Sequence, residues 1–529
     1  MAPKLIIMQT CLGFAVMVAS AAAQEVKTPP APRFDITRFV VEGNSLLKPS
    51  EIEEIVSRYT GKQKDIADVQ RAQQALQDAY QKKGYRGVQV ILPEQVVSQG
   101  IVRLKVIEAR TGRITIEGNE YHDDANVRGS LPSLKQGSPP NARDIAAELR
   151  VANENPSKQT TVLFKPSNQP EELDATIKVV DEKPWKIYAY GDNTGDSQTG
   201  IYRVGAGFQL SNLFNMDHVF TFQAQTSPDH ADSVKIFGGS YHVPLYRAGD
   251  SIDLIAGYSD VNSGTVQNLF NVSGSGTIVL LRYNYLLPRV AEIYEQKLVF
   301  GMSYEAFNNT TRTAESPLSL VPNITVHPAS VTYFGNWHLA STEIAFNAGY
   351  SMNIPWGDDG DQAAFQAARF GATDTYHIVT LGLAGLQTLP YDFQFRAAIN
   401  TQLTQDALVP GVQYGIGGFN SVRGFHERAI INDAGYQGTV EAYSPDLGGW
   451  LQLPSVHTRL LLFYDYGDVW RNHALPGEQT NEFISSTGFG VRVYHKNFSV
   501  RADFANVLAP GDGETSWSKM AHVGIVFVY

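Results

Sequence analysis

From Pro184 to the C-terminus the chain alternates apolar and polar residues, and this period of two constrains its fold more than any other feature. In 202–210, Tyr202, Val204, Ala206, Phe208 and Leu210 share one face, opposite Arg203, Gly205, Gly207 and Gln209. Leu298, Phe300, Met302 and Tyr304 repeat the pattern, as do Phe393, Phe395, Ala397 and Ile399, and Phe498, Val500, Ala502 and Phe504. A soluble sandwich also alternates. Here, however, there are about sixteen such segments, most near the 9–11 residues that a tilted membrane-spanning strand needs. Arg, Asp and Gln on the second face suit a wet lumen, and a closed barrel leaves no unpaired strand edge in lipid. Aromatics at segment ends, Tyr188/Tyr190, Tyr258, Tyr283/Tyr285 and Tyr464/Tyr466, read as interfacial girdles. The expectation is a membrane β-barrel of 16 antiparallel strands over 184–529.

The start of the chain sets the compartment. Residues 1–23 carry one charge, Lys4, then an apolar run from Cys11 to Val18 and a small-residue exit at Ala21, Ala22 and Ala23. This pattern predicts a secretory signal peptide, with an apolar core too short to span a bilayer. Its removal takes the only cysteine, which excludes disulfides, thiol catalysis and cysteine-based metal sites. Lys4 leaves too, so the net charge moves from −11 to −12. An acidic chain without basic clusters argues against a nucleic-acid partner. No later run of 18 apolar residues provides a spanning helix.

Between a proline-rich leader (24–33) and the barrel lie two similar units, 34–110 and 111–183. In the first, a strand over 34–43 precedes a helix over 49–59, with Ser50 as cap and Glu53 three residues on. A second helix, 66–83, lines up Val69, Ala72, Leu76, Ala79 and Tyr80 on one face, and strands follow at 87–92 and 101–108. The second unit repeats the order: strand 113–118, a weak helix 125–134, a better one 141–152 bearing Ile145, Leu149 and Ala152, and strands 161–165 and 173–180. Val41-Glu42-Gly43-Asn44 and Ile116-Glu117-Gly118-Asn119 close the two first strands with the same turn signal. The sheet edges of such units are able to accept an extended peptide.

Catalytic templates fail. There is no Gly-x-Ser-x-Gly elbow, His-Glu-x-x-His or phosphate loop; Gly249-Asp250-Ser251 sits at a turn, and the histidines are scattered. No enzyme activity, cofactor or metal is expected. The informative stretch is the long interval 404–434, with Val422-Arg423-Gly424-Phe425 among glycines. Downstream, Phe463 and Asp465 share the polar face of a strand, while Leu460, Leu462, Tyr464 and Tyr466 face the other way. Asp465 therefore points into the lumen, and Arg423 meets it there if the loop folds inward. A guanidinium and a carboxylate pair bidentately, and burial makes each need the other.

These residues carry a resemblance. The β-α-α-β-β unit used twice resembles the POTRA domain of Omp85-type proteins. Val422-Arg423-Gly424-Phe425 resembles the tip of that superfamily's inward-folded sixth loop, and Phe463-x-Asp465-x-Gly467 its docking motif on the barrel wall. Two such units before a 16-strand barrel look like the TpsB transporters of two-partner secretion, the ShlB/FhaC/HecB-like hemolysin secretion/activation proteins. Asp192-Asn193-Thr194-Gly195 and Asn153-Glu154-Asn155-Pro156 resemble further signatures of that family; Lys158 departs from it, standing where arginine is frequent. The leader is too short and proline-rich to form the barrel-plugging helix of some members. The resemblance implies a Gram-negative outer-membrane protein with periplasmic POTRA domains. It would export an unfolded TpsA-type exoprotein, such as a hemolysin or adhesin, through the barrel without nucleotide. Outer-membrane lipid and the barrel assembly machinery would be its other partners, the latter through a last strand ending in Tyr529. The alternative implied is an outer-membrane assembly factor or insertase of the same superfamily; a passive porin leaves the N-terminal units unexplained.

Overall fold

The computed structural model describes residues 32–97, 99–197, 199–232, 234–266, 270–273, 275–291, 293–308, 322–511 and 517–529. The expected signal peptide and most of the leader lie outside the described residues. Two compact units result: one up to Gln81 with Val88–Ile107, the other comprising Lys82–Gly87 and Glu108–Tyr529.

In the first unit, strands Arg38–Glu42, Ile101–Glu108 and Val88–Ile91 form a sheet with Ile101–Glu108 at its centre. Helix Ile66–Lys82 buries Val69, Ala72, Leu76 and Tyr80, the face its spacing predicts. Two expectations are corrected. The strand expected over 34–43 breaks at Thr37, whose N–H and hydroxyl both donate to Gly100 O (2.8 and 3.0 Å). Phe34–Ile36 pairs instead with a short strand, Gly61–Lys64. Helix Pro49–Ser57 starts ahead of Ser50, because Pro49 suits the first helical position. Glu51, not Glu53, reaches back to the Lys48 N–H (3.1 Å).

The repeat is visible in three dimensions. Strands Arg110–Glu117, Glu172–Asp181 and Lys158–Pro166 again place the last strand at the centre. Gly43 and Gly118 occupy matching turns with φ of +83° and +86°. A Cβ there would lie 2.3 Å from the carbonyl oxygen of Val106 or Val179, so the repeated Gly-Asn is a steric requirement of both units. The weak helix contracts to Asp124–Gly129, and the better one, Ala142–Ala152, is capped by Asn141.

Asp181 staples the second unit. Its carboxylate accepts from the backbone N–H groups of Glu120, Tyr121 and His122. Burial raises its pKa, but these donors outweigh burial and hold it below the usual carboxylate range. The stability it contributes is therefore present above the ordinary carboxyl pKa of about 3.9 and lost as pH falls further, through the depressed folded value. Asp181→Ala is expected to cost about 3 kcal/mol. A lower urea midpoint for proteolysis of this unit at pH 7, with the difference from wild type shrinking as pH falls below about 3.9, checks it.

The remaining chain closes into a barrel of sixteen antiparallel spanning strands, from Trp185–Asp192 to Lys519–Val528, which pair with each other at the seam. The strands carry the expected alternation: Leu460, Leu462 and Tyr464 are exposed outward, while Leu461, Phe463 and Asp465 are buried. One assignment is reversed. Ile187 and Ala189 face outward, so Tyr188 and Tyr190 point into the lumen rather than to a girdle. There Tyr190 OH donates to Gln225 (3.2 Å) and Tyr188 OH to Phe222 O (3.3 Å). A tyrosine has a polar tip that a wet interior satisfies as well as an interface does.

Candidate functional site

The interval between strands Gln394–Leu403 and Ala434–Tyr443 is ordered by a short antiparallel hairpin, Tyr414–Ile416 with Ile430–Asn432. The hairpin brings the segment back inside the barrel. Val422 and Phe425 are buried there against Ile416, Val469, Ile484 and Val507, which form an apolar patch on the wall.

Between these anchors sits Arg423, 2% exposed, against Asp465, 0% exposed. Its Nε donates to Oδ2 and its Nη2 to Oδ1, each at 2.7 Å, and its backbone N–H also reaches Oδ2 at 3.0 Å. Thr439 Oγ1 completes the carboxylate's shell at 2.6 Å. Phe463 lies beneath the guanidinium, whose carbon is 3.5 Å from the ring centroid. The sequence-predicted residues thus come together, each with a distinct contact. Gly467 makes room: a Cβ there would stand 3.0 Å from Ile416 Cδ1 and 3.1 Å from Val422 Cγ2. Gly424, at φ +96°, turns the tip and donates its N–H to His522 Nε2 at 2.9 Å.

Arg423 also belongs to a network that the sequence reading did not assemble. Its Nη1 pairs with Glu441 at 2.9 Å and approaches Asp503 at 3.5 Å. Arg396 holds Glu441 (2.9 Å); Arg492 (2.9 Å) and Arg501 (2.8 Å) hold Asp503. Arg501 stacks on Phe419 with 4.0 Å to the ring centroid and donates to Asn420 Oδ1, gripping the loop from a strand two along the wall from that of Asp465. Four arginines thus face three carboxylates, so nearly every charge on this stretch of lumen is compensated. A cavity of about 360 Å³ lies beside the loop tip, lined by Arg396, Asn400, Gln437 and Tyr494. Among the described residues lining this stretch, the charged groups pair with one another.

A second arginine–aspartate pair holds the loop's base. Arg369, just after helix Gln362–Ala368, pairs with the fully buried Asp433 and donates to Leu408 O at 2.6 Å. Asp433 also accepts from the N–H groups of Leu408 (3.0 Å) and Asn472 (2.7 Å).

Comparison with known proteins agrees with this architecture. The model of the haemolysin secretion/activation protein family ShlB/FhaC/HecB matches residues 172–493, and that of the ShlB-type POTRA domain matches 34–109. The chain is 22% identical over 499 residues to the heme/hemopexin transporter protein HuxB of Haemophilus influenzae, covering 90% of this chain and 84% of that one. It is 22% identical over 445 residues to the outer membrane transporter CdiB of Escherichia coli, covering 79% and 73%. The solved structure of CdiB from Escherichia coli shares the fold, with a TM-score of 0.70 at 18% identity over 96% of this chain and 93% of that one. With two N-terminal units, a closed 16-strand barrel and a family match over most of its length, the chain belongs to the haemolysin secretion/activation family, the outer-membrane transporters of two-partner secretion.

Proposed function

We propose that the periplasmic units, 34–110 and 111–183, capture an unfolded partner exoprotein of the hemolysin or adhesin class and feed it into the barrel, 184–529. In this reading Arg423 and Asp465 hold the loop 404–434 as the element that shapes the pore. The outward apolar belt sits in outer-membrane lipid, and the strand ending in Tyr529 is what the assembly machinery handles during biogenesis. Capture uses a sheet edge, where main-chain groups give affinity with little sequence demand. The single observation that carries the reading is the buried bidentate Arg423–Asp465 pair inside a closed barrel. A passive porin leaves the two N-terminal units without a role.

Deleting the gene in the source bacterium tests it. One large exoprotein should vanish from the culture supernatant while the outer-membrane protein profile stays intact. A chain lacking residues 34–109 should insert into the membrane but fail to restore export. A general loss of outer-membrane proteins, or export restored without those residues, overturns the proposal.

A further inference from the structure

The second POTRA unit and the barrel meet in a buried polar socket that no part of the loop site uses. Lys158, at the start of strand Lys158–Pro166, is 1% exposed, and Asp217, in the turn between the second and third barrel strands, is 2% exposed. Lys158 Nζ lies 2.5 Å from Asp217 Oδ2 and donates to Asn126 Oδ1 at 2.8 Å. Asn126 in turn donates to Asp217 Oδ1 (2.9 Å), Asn212 Oδ1 (3.1 Å) and the Asn215 carbonyl (3.1 Å). Asn155 donates to Ser211 O at 2.6 Å. From the turn between the fourth and fifth barrel strands, Tyr246 OH closes on Asp217 Oδ2. His122 stands 3.9 Å from Asp217, its Nδ1 turned to Asp181.

The barrel turn is built for this contact. Phe214, Asn215 and Asp217 have φ of +59°, +58° and +61°, left-handed values that Asn and Asp tolerate in tight hairpin turns and that a bulky Phe adopts only when its surroundings impose them. Burial pushes the Lys158 ammonium below its ordinary pKa, and the Asp217 carboxylate opposes that shift. An unpaired charge at either position would be heavily penalised, so the two elements are held in one mutual arrangement.

We propose that Lys158 and Asp217 form a latch that fixes the second POTRA unit in one orientation on the barrel mouth. They are positioning residues: they align a captured chain with the lumen without touching it. The alignment rests on the transport reading above; the latch itself does not.

Spin labels at Gln169→Cys in the POTRA unit and Ser341→Cys in a barrel turn, in the full chain without Cys11, read the latch directly. A single narrow distance distribution is expected. Lys158→Met should broaden it at least twofold and Tyr246→Phe broaden it less, while Lys158→Arg keeps it narrow. Heat-modifiable migration on gels reports that the barrel itself is folded. A narrow distribution in both the Met and Phe variants overturns the latch, whatever secretion does. Broadening in a protein whose deletion leaves secretion unchanged supports the latch and sinks the transport reading instead. Broadening together with at least a tenfold drop in export supports both.

Discussion

Arg423→Ala is expected to release the loop tip and cut export of the partner exoprotein by more than about tenfold, because about 3–5 kcal/mol of anchoring is lost when one member of a buried ion pair is removed. The substitution strips Asp465 of both side-chain N–H donors and leaves Glu441 and Asp503 with one fewer cation. What remains on the tip is two backbone N–H bonds, to Asp465 and His522, the burial of Val422 and Phe425, and the Arg501 contacts to Phe419 and Asn420, none of which neutralises the buried Asp465. Arg423→Lys should rescue only in part. A point-like ammonium keeps the charge but cannot match both carboxylate oxygens while lying flat on Phe463. Single-channel recording should show larger and noisier openings, and trypsin should reach Arg428. Normal export from a variant whose loop trypsin does cut would sink the role proposed for the pair.

The outline of this arrangement was legible before any coordinates. Period-two alternation read out the barrel, the repeated Gly-Asn turn read out the paired units, and the spacing of Phe463, Asp465 and Gly467 marked the wall. Each is a local signal, since neighbouring residues decide which side chain faces which way. Glu441 and Asp503 were not legible as partners of Arg423. Their alternation puts them on the inner face, but which inner residues share a level depends on the register of strands brought together by closure. The Arg369–Asp433 pair spans 64 residues and two loops and leaves no local trace. Tyr188 and Tyr190 misled for a related reason. An aromatic suits either side of a barrel wall, so only the neighbours Ile187 and Ala189 betray the true face. Lys158 was noticed only as a departure from its relatives; its buried partner is an aspartate in a strained turn that periodicity does not register.

Gly467→Leu is expected to produce a comparable secretion defect without altering a charge. The residue points inward from strand His457–Trp470, two positions along from Asp465, where Ile416 and Val422 press against the wall. A Cβ alone would meet them at 3.0 and 3.1 Å, so alanine should be felt mildly. The additional carbons of leucine need space that the apolar cluster does not have, a cost of about 1–3 kcal/mol in a packed core. The hairpin is the part able to yield, because each barrel strand is paired along both edges. Export should fall from wild type through Gly467→Ala to Gly467→Leu, with heat-modifiable migration unchanged. Combining Gly467→Leu with Arg423→Ala then separates two mechanisms. If both act by releasing the same loop, the double variant exports about as much as Arg423→Ala alone, because a loop already released has nothing further to lose. Losses that add in full would mean that Gly467 supports transport by a route other than the loop, and the docking motif would have to be divided between two tasks.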